Sequence, residues 1–254
     1  MAPLVTDAVV LHAFDYLESS RILRLATREA GVRSVLARGA RSSRKRFGSA
    51  VDLFAQGTAQ IHTKPGRDLD TLASLEVNRA RPELGADLGR FTGASALAEL
   101  TLRCATVVAD PSVYDALVAG LDAIGAAPPS QARDATLASA WRLVAELGFA
   151  PNVDACGMCQ KELEPEASVR FSHPAGGALC DRCARLAPSG RALPSAARLV
   201  LRGWLSGEHG LPPLSDLDAR AHQRLLREFL HEHLADDRPL RAFEVWEHEG
   251  WSAA

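Results

Sequence analysis

The spacing of the apolar residues changes once along this chain, near residue 83, and this change limits the folds open to it. Before that point apolar and β-branched residues form five short runs that are typical of strands. These runs are Val5–Ala13, Ile22–Thr27, Val32–Ala37, Gln56–His62 and Leu69–Val77. After that point the apolar residues recur at the 3.6-residue spacing of helices. The sequence therefore predicts an α+β protein with a strand-rich beginning and a helical remainder.

The five N-terminal strands are separated by turn signals, among them Ala30-Gly31 and Lys64-Pro65-Gly66. Five short strands within about 80 residues predict a small closed or nearly closed barrel. An OB-fold satisfies this strand count. An SH3-like barrel is the alternative, and periodicity does not separate the two.

The helical part begins with three amphipathic segments, over residues 91–107, 113–124 and 137–147. Two further helices are predicted over Pro194–Ser206 and Leu217–Leu234, the second with an apolar stripe that faces a core. The same helix carries Arg220, Arg224 and Arg227 on another face. We interpret this arginine row as a solvated helix face rather than a phosphate-binding strip.

Four of the five cysteines form two C-x2-C pairs, Cys156 with Cys159 and Cys180 with Cys183, separated by twenty residues. Two residues between cysteines let one tight turn present both sulfurs to a single ion, and zinc prefers four such thiolates. A site filled by four protein ligands stabilises structure and has no position for a reactive water. An iron–sulfur cluster, a redox-active pair and a ligand role for His173 are the alternatives, and this spacing favours none of them.

A basic segment follows the third strand and contains Arg38, Arg41, Arg44, Lys45 and Arg46 with no acidic residue among them. Residues 1–67 hold 11 basic against 5 acidic side chains, whereas residues 68–254 hold 18 against 26. Such an asymmetry indicates that the N-terminal part meets a polyanion, and we expect the segment to be an exposed loop that contacts phosphates. Base stacking is expected from one or two aromatic side chains, with the rest in the core. The candidates are Phe14, Tyr16, Phe47 and Phe54.

The sequence contains none of the common catalytic signatures: no GxxxxGK[ST], GxGxxG, HExxH or GxSxG motif. An enzymatic function therefore has no candidate residues. No apolar run approaches the roughly 18 to 20 residues that span a bilayer, and the first residues lack a secretory leader. The expected location is the cytoplasm.

The order of these parts resembles the RecO family of bacterial recombination mediators. The resemblance rests on TDAVVLHAFDYLESSRILRLAT, the VLARGAR segment with Phe47-Gly48 after it, GFAPNVDACGMC, GGALCDRC, and LLREFLHEHL followed by RPLRAF. It implies an OB-fold over residues 1–80 and a helical domain in two parts, 81–150 and 193–254, with an inserted four-cysteine zinc element at 151–192. It covers most of the chain.

The same resemblance implies that the protein binds single- and double-stranded DNA and anneals complementary strands. It also implies partnership with RecR in loading RecA onto DNA coated by single-stranded-DNA-binding protein. The zinc role carries over to the four paired cysteines, and the DNA-contact role to the five cations of the basic segment. Two other classes remain open: a zinc-stabilised protein-interaction module that never touches DNA, and a hydrolase or transferase that uses the cysteines.

Overall fold

The structure is a computed structural model that describes residues 3–40, 47, 52–63, 66, 68–104, 109–187, 190–208, 210–233 and 238–248. The chain folds into two compact units. The barrel unit comprises residues 1–132 and 240–254, and the cysteine unit comprises residues 133–239.

Five strands in the barrel unit close into a barrel in the order β1-β2-β3-β5-β4. They are β1 Leu4–Tyr16, β2 Ser20–Thr27, β3 Gly31–Ala37, β4 Gln56–His62 and β5 Asp70–Arg79. The pairing of β3 with β5 is parallel, and β4 returns to pair with β1. This Greek-key closure is the topology of an OB-fold, so the predicted five-stranded barrel is confirmed and the SH3-like alternative is wrong. Strand β1 extends three residues beyond the predicted end at Ala13.

The interior of the barrel is filled mainly by small and branched side chains, as the narrow lumen of a five-stranded barrel requires. The buried residues of this core are Ala8, Val10, Leu23, Leu25, Val35, Ala37, Phe47, Ala55, Ala59, Ile61, Leu72 and Leu75. Phe47 is the largest of them, and it belongs to the segment that follows the basic residues. It therefore serves the core rather than base stacking.

The eight α-helices of the described residues are numbered here in chain order. They are α1 Pro82–Gly85, α2 Leu88–Cys104, α3 Pro111–Ala126, α4 Ala132–Val144, α5 Asp181–Leu186, α6 Ser195–Ser206, α7 Asp216–His233 and α8 Arg241–His248. In the barrel unit α2 packs against β1, β2, α3 and α8. None of the described helices is both long enough and apolar enough to cross a membrane.

The sequence did not predict helix α8, because in a segment of eight residues the apolar side chains repeat too few times to show a helical period. The carboxylate of Glu99 in α2 accepts hydrogen bonds from the N–H groups of Ala242 and Phe243 in the first turn of α8, at 2.8 and 3.1 Å. The side chains of Phe243 and Trp246 are buried. Capping from α2 and burial of two aromatic rings thus hold a segment whose own sequence signal is weak.

The cysteine unit combines α4, α6 and α7 with a small antiparallel sheet. Its strands are β6 Val169–Ser172, β7 Gly177–Leu179 and β8 Arg191–Leu193, in the order β7-β6-β8. Helix α4 continues into a π-helical turn over Ala145–Phe149, in which Gly148 has a φ of 85° and ends the helix just after the predicted segment 137–147. The predicted apolar stripe of α7 is confirmed, because Leu225, Leu226, Phe229 and Leu230 are all buried.

Candidate metal centre and nucleic-acid interface

The four paired cysteines converge on one point of the cysteine unit. Their sulfur atoms all lie within 4.8 Å of one another, and the Sγ atoms of Cys159 and Cys180 are 3.8 Å apart. A tetrahedral ion with thiolates at about 2.3 Å requires sulfur–sulfur distances of about 3.8 Å. None of the four is in a disulfide. The donor set and its spacing fit a metal ion, as the sequence predicted, and within the described ranges no other group of three or more His, Cys, Asp or Glu ligand atoms converges in this way.

Local backbone structure presents the first cysteine pair. The N–H of Gln160 donates to the carbonyl of Cys156 at 2.8 Å, which closes a tight turn over the pair. Gly157 lies within that turn, and a Cβ atom there would come within 2.4 Å of the carbonyl oxygen of Ala175. Only glycine lets the turn approach the returning chain this closely.

The second pair lies at the start of α5. Cys180 directly precedes the helix, and Cys183 lies within its first turn, with the N–H of Ala184 donating to the carbonyl of Cys180. Strands β6 and β7 form the hairpin between the two pairs, and residue Gly177 in β7 pairs with Asn152 ahead of the first turn. The return of this hairpin brings the two turns opposite each other, and a stretch of twenty residues is long enough for it.

The thiols influence one another strongly. Burial opposes ionisation of Cys156, but backbone N–H groups of Cys180, Cys159 and Met158 donate to its sulfur and lower its pKa to about 6. Burial, together with the other three sulfurs, raises the pKa of Cys183 to about 12. The close approach of the four sulfurs opposes ionisation of all four at once, and a divalent ion among them would supply the positive charge that offsets this repulsion.

His173 lies between the two pairs in sequence but is not part of the sulfur cluster. Its Nε2 atom is 3.1 Å from a carboxylate oxygen of Glu228 in α7, and Arg191 in β8 binds the same carboxylate through two nitrogens. Burial opposes ionisation of Glu228, yet Arg191 and His173 together lower its pKa. The histidine thus fastens the β6–β7 turn to α7, a polar role outside the metal site.

Arg198 in α6 fixes the cysteine-bearing loop in a way that the sequence pattern did not indicate. Its guanidinium is 1% exposed and donates to the backbone carbonyls of Val153, Leu163, Glu164 and Ala167, at distances from 2.6 to 3.3 Å. Burial lowers its pKa, but a guanidinium remains charged at neutral pH. One buried cation therefore satisfies four carbonyls that border the first cysteine pair.

The barrel unit presents a different kind of surface at the end of β1. The pairing of β1 with β2 runs in one register to Val10 opposite Leu25, and then shifts so that His12 lies opposite Arg24. Leu11 is the extra residue of this β-bulge. Ala8 and Val10 face the barrel core before the bulge and Ala13 packs against it afterwards. Because a bulge reverses the alternation of side chains, His12, Phe14 and Tyr16 face outward.

This outer surface, which we call the aromatic face, combines exposed rings with basic residues. Phe14 and Tyr16 are 43% and 40% exposed, and the rings of His12 and Phe14 are in contact with centroids 5.7 Å apart. The register places Arg24 beside His12 and Ser34 beside Arg24, and exposed Arg38 directly follows β3. The face holds no acidic side chain. Its full membership is His12, Phe14, Tyr16, Ser20, Ile22, Arg24, Ser34, Leu36 and Arg38.

The four aromatic candidates divide as expected, with two exposed on this face and two in the core, since Phe47 and Phe54 are 4% and 3% exposed. Of the five predicted DNA-contacting cations, Arg38 is exposed next to the aromatic face. The other four, Arg41, Arg44, Lys45 and Arg46, lie outside the described residues. The sequence did not indicate that His12 and Arg24 belong to this face. The one hint of the β-bulge was the run of four apolar residues from Ala8 to Leu11, which breaks the strict alternation of a strand.

Comparison with known proteins connects both regions to one family. The profile of "Recombination protein O N terminal" matches residues 1–81, and that of "Recombination protein O C terminal" matches residues 85–242. A protein of Anaeromyxobacter dehalogenans (strain 2CP-C) named "DNA repair protein RecO" is 38% identical over 244 residues, 92% of this chain and 93% of the relative. A protein of the same name from Gloeobacter violaceus is 34% identical over 235 residues, 91% of this chain and 87% of the relative.

Proposed function

Because this chain belongs to the RecO family of DNA repair proteins, we propose that it is a recombination mediator that binds DNA and catalyses no covalent reaction. In this proposal it binds single- and double-stranded DNA, anneals complementary strands, and acts with RecR to load RecA onto DNA coated by single-stranded-DNA-binding protein. Its place of work is then the cytoplasm, on chromosomal DNA. We also propose that the chain is divided into an OB-fold over residues 1–80, a helical domain in two parts over 81–150 and 193–254, and a zinc element over 151–192.

The observation that carries the proposal is the aromatic face. Single-stranded DNA is held by stacking of its bases on exposed aromatic rings and by cations that track its backbone. Phe14, Tyr16 and His12 offer rings at alternate positions of one strand, and Arg24 and Arg38 lie beside them. Each stacked base contributes about 1 to 3 kcal/mol, and the absence of acidic side chains from this face avoids repulsion of phosphates.

The basic segment begins at Arg38, next to the aromatic face, and continues in sequence to Arg46. Phosphate contacts from arginine and lysine supply sequence-independent affinity, which a mediator that handles any damaged site requires. We propose that Arg38, Arg41, Arg44, Lys45 and Arg46 supply it. Annealing then needs no nucleophile, because neutralising the phosphates on two strands lowers their repulsion while base pairing supplies the specificity.

We propose that the ion held by Cys156, Cys159, Cys180 and Cys183 is a single structural Zn²⁺. Soft thiolates select zinc over hard cations, and a four-sulfur set leaves zinc no open position for substrate. The segment around the cysteines has few large buried apolar residues, so coordination would supply much of its folding energy.

The experiment that tests the proposed function compares the native protein with the double variant Phe14→Ala, Tyr16→Ala in binding a fluorescent single-stranded oligonucleotide. Loss of even one stacked base, at about 1 to 3 kcal/mol, should weaken binding by about fivefold to 150-fold. Leu217→Ala, which removes an exposed apolar side chain of α7, is the matched control and should bind normally.

Annealing of complementary oligonucleotides is measured on the same samples. A protein that binds no oligonucleotide even at low ionic strength would refute the proposed function and would favour an interaction module without DNA binding. A double variant that binds and anneals like the native protein would show that the aromatic face is not the DNA site.

A further inference from the structure

A pocket of about 620 Å³ borders the sulfur cluster of the cysteine unit. Cys159 and Cys180 are among the residues that line it, whereas Cys156 and Cys183 are not. The exposure of the four side chains divides in the same way: Cys159 is exposed and Cys180 half-buried, but Cys156 and Cys183 are 0% and 3% exposed. A small molecule in this pocket, which we call the sulfur pocket, therefore reaches one sulfur of each C-x2-C pair.

The two sulfurs that the sulfur pocket reaches also lie close together. The Sγ atoms of Cys159 and Cys180 are 3.8 Å apart, and a disulfide bond is about 2.0 Å long, so the sulfurs need to approach by about 1.8 Å. Cys159 lies in a turn and Cys180 directly precedes α5, so neither residue is fixed within a helix or strand. The geometry therefore favours a disulfide between the two pairs.

Cys156 is a less available partner for Cys159, although it belongs to the same pair. Its side chain is buried, and the backbone N–H groups of Met158, Cys159 and Cys180 donate to its sulfur. A bond from Cys156 would disturb these hydrogen bonds inside the protein, where unsatisfied donors are costly. The accessible dithiol is therefore the one that joins the two pairs, and not a C-x2-C pair of the kind used by redox enzymes.

The walls of the sulfur pocket suit an uncharged reagent. Apart from the two cysteines, they carry three basic and three acidic side chains, so their formal charges cancel. Peroxides oxidise exposed sulfur that has thiolate character. Coordination to a metal ion keeps a sulfur deprotonated, so a metal-loaded cluster presents such sulfur to the pocket. Hydrogen peroxide is small and neutral, and it fits both conditions.

We propose that Cys159 and Cys180 form a peroxide-sensitive modification site, at which oxidation joins the two C-x2-C turns through a disulfide and releases the metal ion. The inference rests on the ion that is proposed above for the four cysteines, and not on DNA binding. Reduction by a dithiol reverses the modification, because it restores both thiols for metal binding.

Hydrogen peroxide alone balances the oxidation. The Cys159 thiolate attacks one peroxide oxygen and the O–O bond breaks, which gives a sulfenic acid and a hydroxide ion. The Cys180 thiolate then attacks the sulfenic sulfur, which forms the S–S bond and releases a second hydroxide ion. The two sulfurs lose two electrons, the peroxide gains them, and two protons from the buffer convert both hydroxide ions to water. Two thiolates remain, fewer than the four ligands of a structural zinc site, so the ion is released.

The test treats the full-length, metal-loaded protein with a small excess of hydrogen peroxide. A chromophoric chelator measures the released ion against an untreated sample, and mass spectrometry of the alkylated, unreduced tryptic digest locates the disulfide. Trypsin leaves Cys156 and Cys159 together in peptide 143–161, Cys180 in 171–182 and Cys183 in 183–185. The expected product links 143–161 to 171–182, with Cys156 and Cys183 alkylated. We expect one ion released and one disulfide formed per chain.

A substitution that keeps the metal site separates oxidation from loss of a ligand. Cys159→His retains four ligands, since zinc sites with three cysteines and one histidine are common, but it cannot form the disulfide. It should release its ion about tenfold more slowly than the native protein at the same peroxide concentration. Cys104→Ser, which removes the cysteine outside the cluster, is the control and should release the ion at the native rate. If the histidine variant holds no metal, the peptide map of the native protein decides the outcome.

Treatment of the oxidised protein with dithiothreitol and zinc should restore the metal content. This reversal separates the disulfide from oxidation of Met158, which is 51% exposed and whose sulfoxide is reduced by dedicated enzymes. A disulfide within peptide 143–161, a linked product that contains peptide 183–185, or retention of the ion after peroxide treatment would overturn the proposal.

The outcome is separable from that of the proposed function. Retention of the ion by a protein that binds oligonucleotides normally removes the peroxide-sensitive site and leaves the mediator function. Peroxide-driven release by a protein that ignores oligonucleotides removes the mediator function and leaves the site. A purified protein without bound metal overturns both the zinc proposal and this inference.

Discussion

The Nε atom of Arg198 donates a 2.7 Å hydrogen bond to the backbone carbonyl of Val153, three residues before Cys156, the first of the four clustered cysteines. Through the same guanidinium, three more carbonyls of the cysteine-bearing loop are satisfied. Helix α6 therefore holds the cysteine-bearing loop in place through a charged side chain that is itself buried.

Replacing Arg198 with Met should destabilise the cysteine unit by about 3 kcal/mol, because the buried carbonyl of Val153 and three partly buried carbonyls would each lose a charged donor. Arg202→Met on the same helix is the control. Arg202 forms an exposed ion pair with Asp154 at 3.2 Å, so its loss should cost less than about 1 kcal/mol. Urea unfolding of the metal-loaded proteins measures both values, and equal losses would contradict this account of Arg198.

Replacing Cys183 with Ser should abolish stoichiometric metal binding and lower the melting temperature, because a three-thiolate site is incomplete. Cys104→Ser changes the one cysteine outside the cluster, half-buried at the end of α2, and should retain one bound ion per chain. Elemental analysis of the purified variants identifies and counts the metal. A Cys183 variant that still holds one ion would show that the four sulfurs are not the ligand set.

Reversing three charges of the basic segment, with Arg41→Glu, Arg44→Glu and Arg46→Glu, should abolish most DNA binding with little loss of stability. If all five cations engage a single strand, log affinity falls with log salt at a slope of about −3.5. The two cations left in the variant would give a slope of about −1.4 at most.

Lys161→Glu, Arg185→Glu and Arg241→Glu form the control for this charge reversal, since all three side chains are exposed and lie elsewhere. Anisotropy titrations over a range of salt concentrations give both slopes. Annealing that continues undiminished in the basic-segment variant would remove the proposed mechanism.

The stability of the cysteine unit should fall as the pH is lowered from about 6.5 towards 4. Burial lowers the pKa of His222 to about 4, whereas an unfolded histidine titrates near its ordinary value of about 6.5. Between these values the unfolded chain binds more protons, so the free energy of unfolding decreases with falling pH, by up to about 3 kcal/mol.

The substitution His222→Leu should flatten this dependence, and His231→Leu, at an exposed position of the same helix, should leave it unchanged. Denaturant unfolding at several pH values above about 4.5 is the measurement, because below that range carboxylates such as Glu228 also become protonated. If the free energy of unfolding of His222→Leu depends on pH as strongly as that of the native protein, groups other than His222 cause the dependence.

Most of the architecture was predictable because it depends on local patterns. Alternation of apolar residues predicted all five barrel strands, helical spacing predicted the long helices, and the spacing of the cysteines predicted that their sulfurs meet. The bounds of the short elements β6, β7, β8 and α5 were not predictable, since three to six residues give no measurable period and these segments are held by their neighbours.

The sequence by itself determined the strand-then-helix order, the thiolate set and the resemblance to one family, because residue type and spacing carry that information along the chain. Only the tertiary structure decided that the rings of His12, Phe14 and Tyr16 face outward, since one bulged residue, Leu11, inverts the alternation. It also decided that Arg198 meets four carbonyls and that the buried His222 ring has no hydrogen-bond partner among the described residues. Such relationships join residues distant in sequence, and the distances between them are fixed only when the units pack.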